Sequence, residues 1–213
     1  MADGNGTTFQ QNKGIIVLSH GVDAIDSENV IPESNYILTV GRLEKVKGIT
    51  LLIDAMVMVK EQFPETKLII IGEGGERGEL EKQVEELGLT DRVMFNGILS
   101  NGEVRAWMKN ARCFVLPTYS ESFGMVFLEA MYEGTPVIGT EVGGVPELVV
   151  NGETGFIVPP GDPEKLGDSI CVILGDMKLR DRMSLNAKER AKEFSWDSVV
   201  SQLESIYEST LRT

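Results

Sequence analysis

Histidine is nearly absent from this sequence: His20 is the single one in 213 residues. It stands ahead of the first regular strand pattern and no serine-centred elbow accompanies it, so a hydrolase triad has no base to work with. Cysteine is scarce too. Cys113 and Cys171 sit in apolar runs at a spacing that fits no metal or redox motif, and they read as buried free thiols of a reducing compartment. Cations are short, with 20 Lys and Arg against 33 Asp and Glu for a formal charge of −13. That balance disfavours nucleic acid and anionic membrane as main partners. Any phosphate site must be local, made from backbone amides and a few placed cations. No apolar run reaches membrane-spanning length, and the first residues lack a signal-peptide core. No G-x-x-x-x-G-K-[ST] occurs. No G-x-G-x-x-G follows the first strand, so a nicotinamide dehydrogenase lacks its fingerprint where it must be.

What is present is an ordinary globular composition, 42% hydrophobic and 25% charged, enough for one sizeable core without staples. Residues 1–13 are polar and aperiodic and are expected to be a disordered tail. Residues 14–35 read as a linker: a strand-like run over 14–18, then Ser19-His20-Gly21-Val22-Asp23 and a polar, acidic connection. From residue 36 to 213 the chain forms one unit. Apolar runs at 36–41, 67–72, 92–97, 113–117, 136–140 and 155–158 alternate with helical spacing at 49–62, 77–87, 101–110 and 123–132, and with a short helix after Pro146. Helices follow at 164–174, 177–193 and 196–211, the last after Ser195 as N-cap, with an apolar stripe running from Trp196 to Leu211. The alternation predicts an α/β fold: a doubly wound, Rossmann-like, six-stranded parallel sheet of order 3-2-1-4-5-6.

In such a sheet the ligand crevice opens beyond the carboxyl ends of strands 1 and 4, where the winding reverses. Two loops are thereby selected. The loop after strand 1 carries Arg42 and Lys47, able to hold a diphosphate between them, the first by forked hydrogen bonds and the second as a point charge. Two surface cations are the alternative. The loop after strand 4 leads into a helix predicted to start near Phe123 or Gly124, whose first amides make an anion site. Glu129, the only charge between Phe123 and Tyr132, lies one turn beyond Met125, about 6 Å along the axis at roughly 1.5 Å per residue. A nucleoside diphosphate has that layout, phosphate at the amides and ribose diol at the carboxylate. A solvated Glu129 on a half-buried helix is the other reading. Gly72-Glu73-Gly74, off the switch point, reads as a tight turn.

Four motifs then fall in order: V-G-R-L-x3-K-G at 40–48, G-E-G at 72–74, E-S-F-G-M-V-x-L-E-A-M at 121–131, and G-G-V-P-E-L-V-x-N-G-x-T-G-x-x-V at 143–158. Together they resemble the C-terminal, donor-binding half of retaining glycosyltransferases with the GT-B fold, the family-four group that includes glycogen synthase and sucrose synthase-like enzymes. The resemblance runs from about residue 14 to the C-terminus. It implies that Arg42 and Lys47 bind the donor diphosphate and that Glu121 and Glu129 are the family's E-x7-E pair. Glu121, with Ser122 beside it and the backbone at Phe123, Gly124 and Met125, would hold the transferred sugar. Val126 and neighbouring amides would face the phosphates, Glu129 the ribose, and the loop around Leu99 the base. It implies a UDP- or GDP-sugar as ligand, no metal and no other cofactor. It also implies a cytoplasmic place, peripheral to the inner membrane face at most. His20 stands where the family often has asparagine in its N-G-V-D linker. The family's N-terminal acceptor-binding domain has no counterpart in this sequence, so weak donor binding and little transfer are expected of the chain alone. A non-catalytic nucleotide-binding or scaffold module is the alternative.

Overall fold

The computed structural model describes residues 20–22 and 35–211. The predicted tail, the run at 14–18 and nearly all of the acidic connection lie outside those residues. Six strands form one sheet: β1 Tyr36–Val40, β2 Lys67–Ile71, β3 Val93–Gly97, β4 Cys113–Leu116, β5 Val137–Thr140 and β6 Gly155–Val158. Their order is β3-β2-β1-β4-β5-β6, and every pairing is parallel, as the alternation requires. Tyr36 to Val40 run in register with Lys67 to Ile71, and Ile37 and Leu38 face Cys113 and Phe114 on the other side. A parallel sheet covered on both faces demands apolar residues at consecutive positions. Ile37, Leu38, Leu68, Ile70, Phe114, Val115, Val137 and Ile138 are all fully buried.

The helices are α1 Ile49–Gln62, α2 Arg77–Glu86, α3 Asn101–Asn110, α4 Met125–Tyr132, α5 Val145–Leu148, α6 Pro163–Gly175, α7 Met177–Lys192 and α8 Trp196–Leu211. They sort into two groups: α1 packs on α2 and α6, whereas α4 packs on α3, α5 and α7. Pro146 falls inside α5 rather than before it, at a first-turn position where its missing N–H costs nothing. α8 starts after Ser195, whose Oγ accepts from the Ser198 amide. Its stripe is only partly covered: Val199 is buried, while Trp196, Val200 and Tyr207 stay largely exposed. Cys113 is buried, and desolvation pushes its thiol up to about 12; Cys171 is half-buried, and both are free.

α3 opens with a reciprocal cap, Ser100 Oγ accepting from the Glu103 amide and Glu103 Oε2 from the Ser100 amide. Ser100→Ala is expected to cost about 1 kcal/mol. In a chain of this size that lowers the melting temperature by roughly 2–4 °C. A calorimetric scan checks it, and a drop beyond about twice that range would mean the cap also supports the neighbouring loop.

Candidate nucleotide-binding site

The carboxyl ends of the strands carry loops that are tied to one another. After β1, the Gly41 amide donates to Ile71 O (3.0 Å) and the Leu43 amide to Glu73 O (3.0 Å), while Leu43 O accepts from Glu76 (2.9 Å). The G-E-G turn therefore serves as a seat for the β1 loop, and the Glu73 carboxylate pairs with Arg77. Lys45–Lys47 then form a single 3-10 turn. Its Val46 carbonyl accepts from the Tyr119 amide (2.7 Å) and Thr118 Oγ1 (2.9 Å), both in the loop after β4. Thr118 O in turn accepts from Thr140 Oγ1 at the end of β5. The Gly144 amide donates to Glu121 O (3.3 Å). Four crossover loops thus form one rim, because the strand order sets β1 beside β4 and β4 beside β5.

Within this rim Lys47 Nζ lies 2.8 Å from Glu121 Oε2, with only 18% and 16% of the two side chains exposed. Glu121 Oε1 also accepts from the Ser122 amide (3.2 Å). Two half-buried charges that neutralise each other satisfy the cost of desolvation. Gly124 caps α4 in the left-handed region, φ +97°. A right-handed helix cannot include that conformation, so the helix starts at Met125, slightly later than the apolar spacing predicts. Met125 and Val126 are its first two residues and have no carbonyl four back within the helix. Their amides and the positive end of the dipole stand at the helix tip, where the sequence led us to expect an anion site.

Glu129 sits half-buried one turn in. Desolvation raises its pKa, and the positive charge of Arg105 opposes that shift. Arg105 on α3 is 2% exposed and donates from Nη1 to the Glu129 carbonyl (2.6 Å). Sequence reasoning missed it. The signal was available: 105 precedes Met108 by three residues and so shares its buried face.

The structure places the other expected residues as follows. Arg42 is on the β1 loop but 74% exposed, its Nη1 donating to Glu44 Oε1 (2.7 Å), so the loop brings Lys47 to Glu121 while Arg42 faces solvent. Ser122 is exposed, and Phe123, Met125 and Val126 are half-buried at the helix tip. Leu99 is half-buried against the core beyond β3, with Ile98 beside it 78% exposed. Among the described residues no cluster of three His, Cys, Asp or Glu is placed to hold a metal. His20 lies 5.5 Å ring-to-ring from Phe123, which in turn lies 6.0 Å from Phe194.

Comparison with known proteins bears on the family and the fold. The family model described as glycosyl transferases group 1 matches residues 22–190. A D-inositol 3-phosphate glycosyltransferase of Jonesia denitrificans is 33% identical over 186 residues, 84% of this chain and 44% of the relative. Sucrose-phosphate synthase from Thermosynechococcus elongatus superposes with a TM-score of 0.76 at 34% identity, over 86% of this chain and 47% of that one. HepE of Anabaena, solved in complex with UDP-glucose, gives a TM-score of 0.74 at 30% identity, over 82% and 49% of the two chains. The chain spans about half the length of the proteins it matches.

Proposed function

The chain belongs to the glycosyl transferases of group 1, and from that premise we propose that it is the donor-binding half of a retaining glycosyltransferase. The observation that carries the reading is the Lys47–Glu121 pair, which joins two loops 74 residues apart beside a bare helix tip. In the proposed complex the diphosphate of a UDP- or GDP-sugar lies on the Met125 and Val126 amides. Lys47 and Arg42 neutralise it, Arg42 after turning away from Glu44. Glu121, with Ser122 and the backbone of Phe123 and Gly124, receives the sugar hydroxyls. Glu129 accepts from the ribose diol, and the loop at Leu99 meets the base. Amides and cations take the part that a metal takes elsewhere, so no metal is proposed. The C1–O bond to the diphosphate breaks as an acceptor oxygen bonds to C1 from the same face, and the acceptor proton passes to the departing phosphate oxygen. The acceptor and the second wall of the cleft are assigned to an N-terminal partner domain, without which transfer is weak or nil. A cytoplasmic place is proposed; no helix among the described residues is long and apolar enough to cross a membrane.

A thermal-shift panel of UDP, GDP, ADP and their sugars tests the reading. A nucleotide at a hundred times its Kd is expected to stabilise the chain by about 2.7 kcal/mol. That is a rise of roughly 5–10 °C at this size. Arg42→Ala is expected to remove most of the rise. A variant stabilised as strongly as the parent sinks the role of Arg42. A parent unmoved by every nucleotide sinks the donor site and favours a scaffold.

A further inference from the structure

Arg105 stands apart from every residue used above. Among the described residues it is the largest side chain that is almost wholly buried, and it comes from α3, an element outside the rim. An arginine is rarely buried without a specific task, because its charge must be met on all sides. Three of its contacts fall on the end of α4 and its C-cap: Nη1 on the Glu129 carbonyl at 2.6 Å, Nε 3.6 Å from Glu133 Oε1, and the guanidinium over the Tyr132 ring at 5.4 Å. The cation thus grips the α4 turn from which the Glu129 side chain springs.

We propose that Arg105 is a positioning residue for nucleotide recognition, fixing the α4 turn that presents the Glu129 carboxylate to the two ribose hydroxyls. The proposal rests on the assignment of Glu129 to the ribose. An ionised carboxylate accepts from both hydroxyls, whereas a protonated one presents a donor to one of them and weakens the pair. Burial alone pushes Glu129 toward the protonated form, and the Arg105 charge is what opposes it. The other charges around α4 do not replace it. Glu133 is an anion already paired with Arg105, and β5 contributes no titratable group. The charge of α5 is the exposed Glu147; α7 brings Lys188 to the far end at Gly134, and its Arg190 is engaged by the Glu147 carbonyl and by Glu193. Lys47, in the rim, is engaged by Glu121.

The test uses the full chain with UDP, GDP and ADP and their 2′-deoxy counterparts, read by calorimetry. The parent should prefer ribose over 2′-deoxyribose about tenfold, the order of one charge-assisted hydrogen bond. Arg105→Met should lose that preference while retaining binding of the 2′-deoxy ligand within about twofold. Arg105→Lys, which keeps the charge, should restore part of it. In parallel, affinity should fall as pH drops through the Glu129 titration, and in Arg105→Met the fall should begin at higher pH. If Arg105→Met does not fold, Arg105→Lys with the same ligand pair decides, since the lysine cannot make all of the guanidinium contacts and must lose part of the preference. A parent that binds no nucleotide overturns the donor site itself. A parent that binds but ignores the 2′-hydroxyl overturns the role of Glu129. Variants that weaken ribose and deoxyribose ligands equally show a merely structural arginine and overturn this proposal.

Discussion

Lys47→Ala is expected to weaken nucleoside diphosphate binding by roughly 10- to 150-fold, and Glu121→Gln to strengthen binding of the bare diphosphate several-fold. The two partners of one ion pair are thus expected to move affinity in opposite directions. A hydrogen bond to a charged group is worth about 1.5–3 kcal/mol, and Lys47 offers such a bond to phosphate from a site only 18% exposed. Without ligand, that bond is already taken by Glu121 at 2.8 Å. A diphosphate must draw the ammonium away and then lie beside the released carboxylate. Glutamine removes both obstacles. The same substitution should weaken the sugar-bearing donor, because a neutral amide accepts more weakly from sugar hydroxyls than a carboxylate does. Calorimetric titration with UDP and with UDP-glucose separates the effects. If Glu121→Gln lowers both affinities alike, the carboxylate does not compete for Lys47 and the resting pair has no part in binding.

Gly143→Ala is expected to lower the melting temperature by roughly 10 °C and to reduce diphosphate affinity more than tenfold. Gly143 has φ +50°, and a Cβ built on it would lie 1.6 Å from the Glu121 carbonyl oxygen. The left-handed conformation alone costs an alanine about 1–2 kcal/mol. The overlap is with backbone, not with a flexible side-chain end, so the loop that carries Glu121 must retreat. Stability and the site are damaged by one displacement. Gly152→Ala is the control, with φ +80° but open space around the added atom. It should show the conformational cost and leave nucleotide affinity unchanged. Equal effects of the two substitutions would mean that the contact between the 143 turn and the 121 loop carries nothing.

The sheet was legible because its signals are local. A run such as KLIII can be fully buried only between two covering layers, and the glycine or polar loop that follows each run marks where the strand must stop. The strand order then located the crevice before any side chain was placed. What stayed hidden depends on contacts between distant segments. Nothing near Lys47 announces Glu121, and nothing near Arg42 announces that its guanidinium rests on Glu44 in solvent. Arg105 was hidden for another reason. Its spacing from Met108 puts it on the buried face, but the partners that make a buried guanidinium tolerable there cannot be read from its own helix. Tyr132 and Glu133, which accommodate it, come from a different helix. The stripe of α8 shows the reverse error. Periodicity identified the apolar face but not how much of it this unit covers.

The Val22 amide donates to Phe194 O at 2.9 Å, and Val22 and Ser195 form a parallel bridge. The polypeptide therefore passes this corner twice, and the ring of Phe123 touches both passes, through His20 and through Phe194. Of the two tryptophans, Trp107 meets Tyr36 of the central strand β1 edge-on, whereas Trp196 stands at the double crossing with 46% of its surface in water. The indole that lies against the Gly21 backbone is thus a native fluorophore for that splice. Its emission follows whether the incoming and outgoing passes stay together, with no label attached.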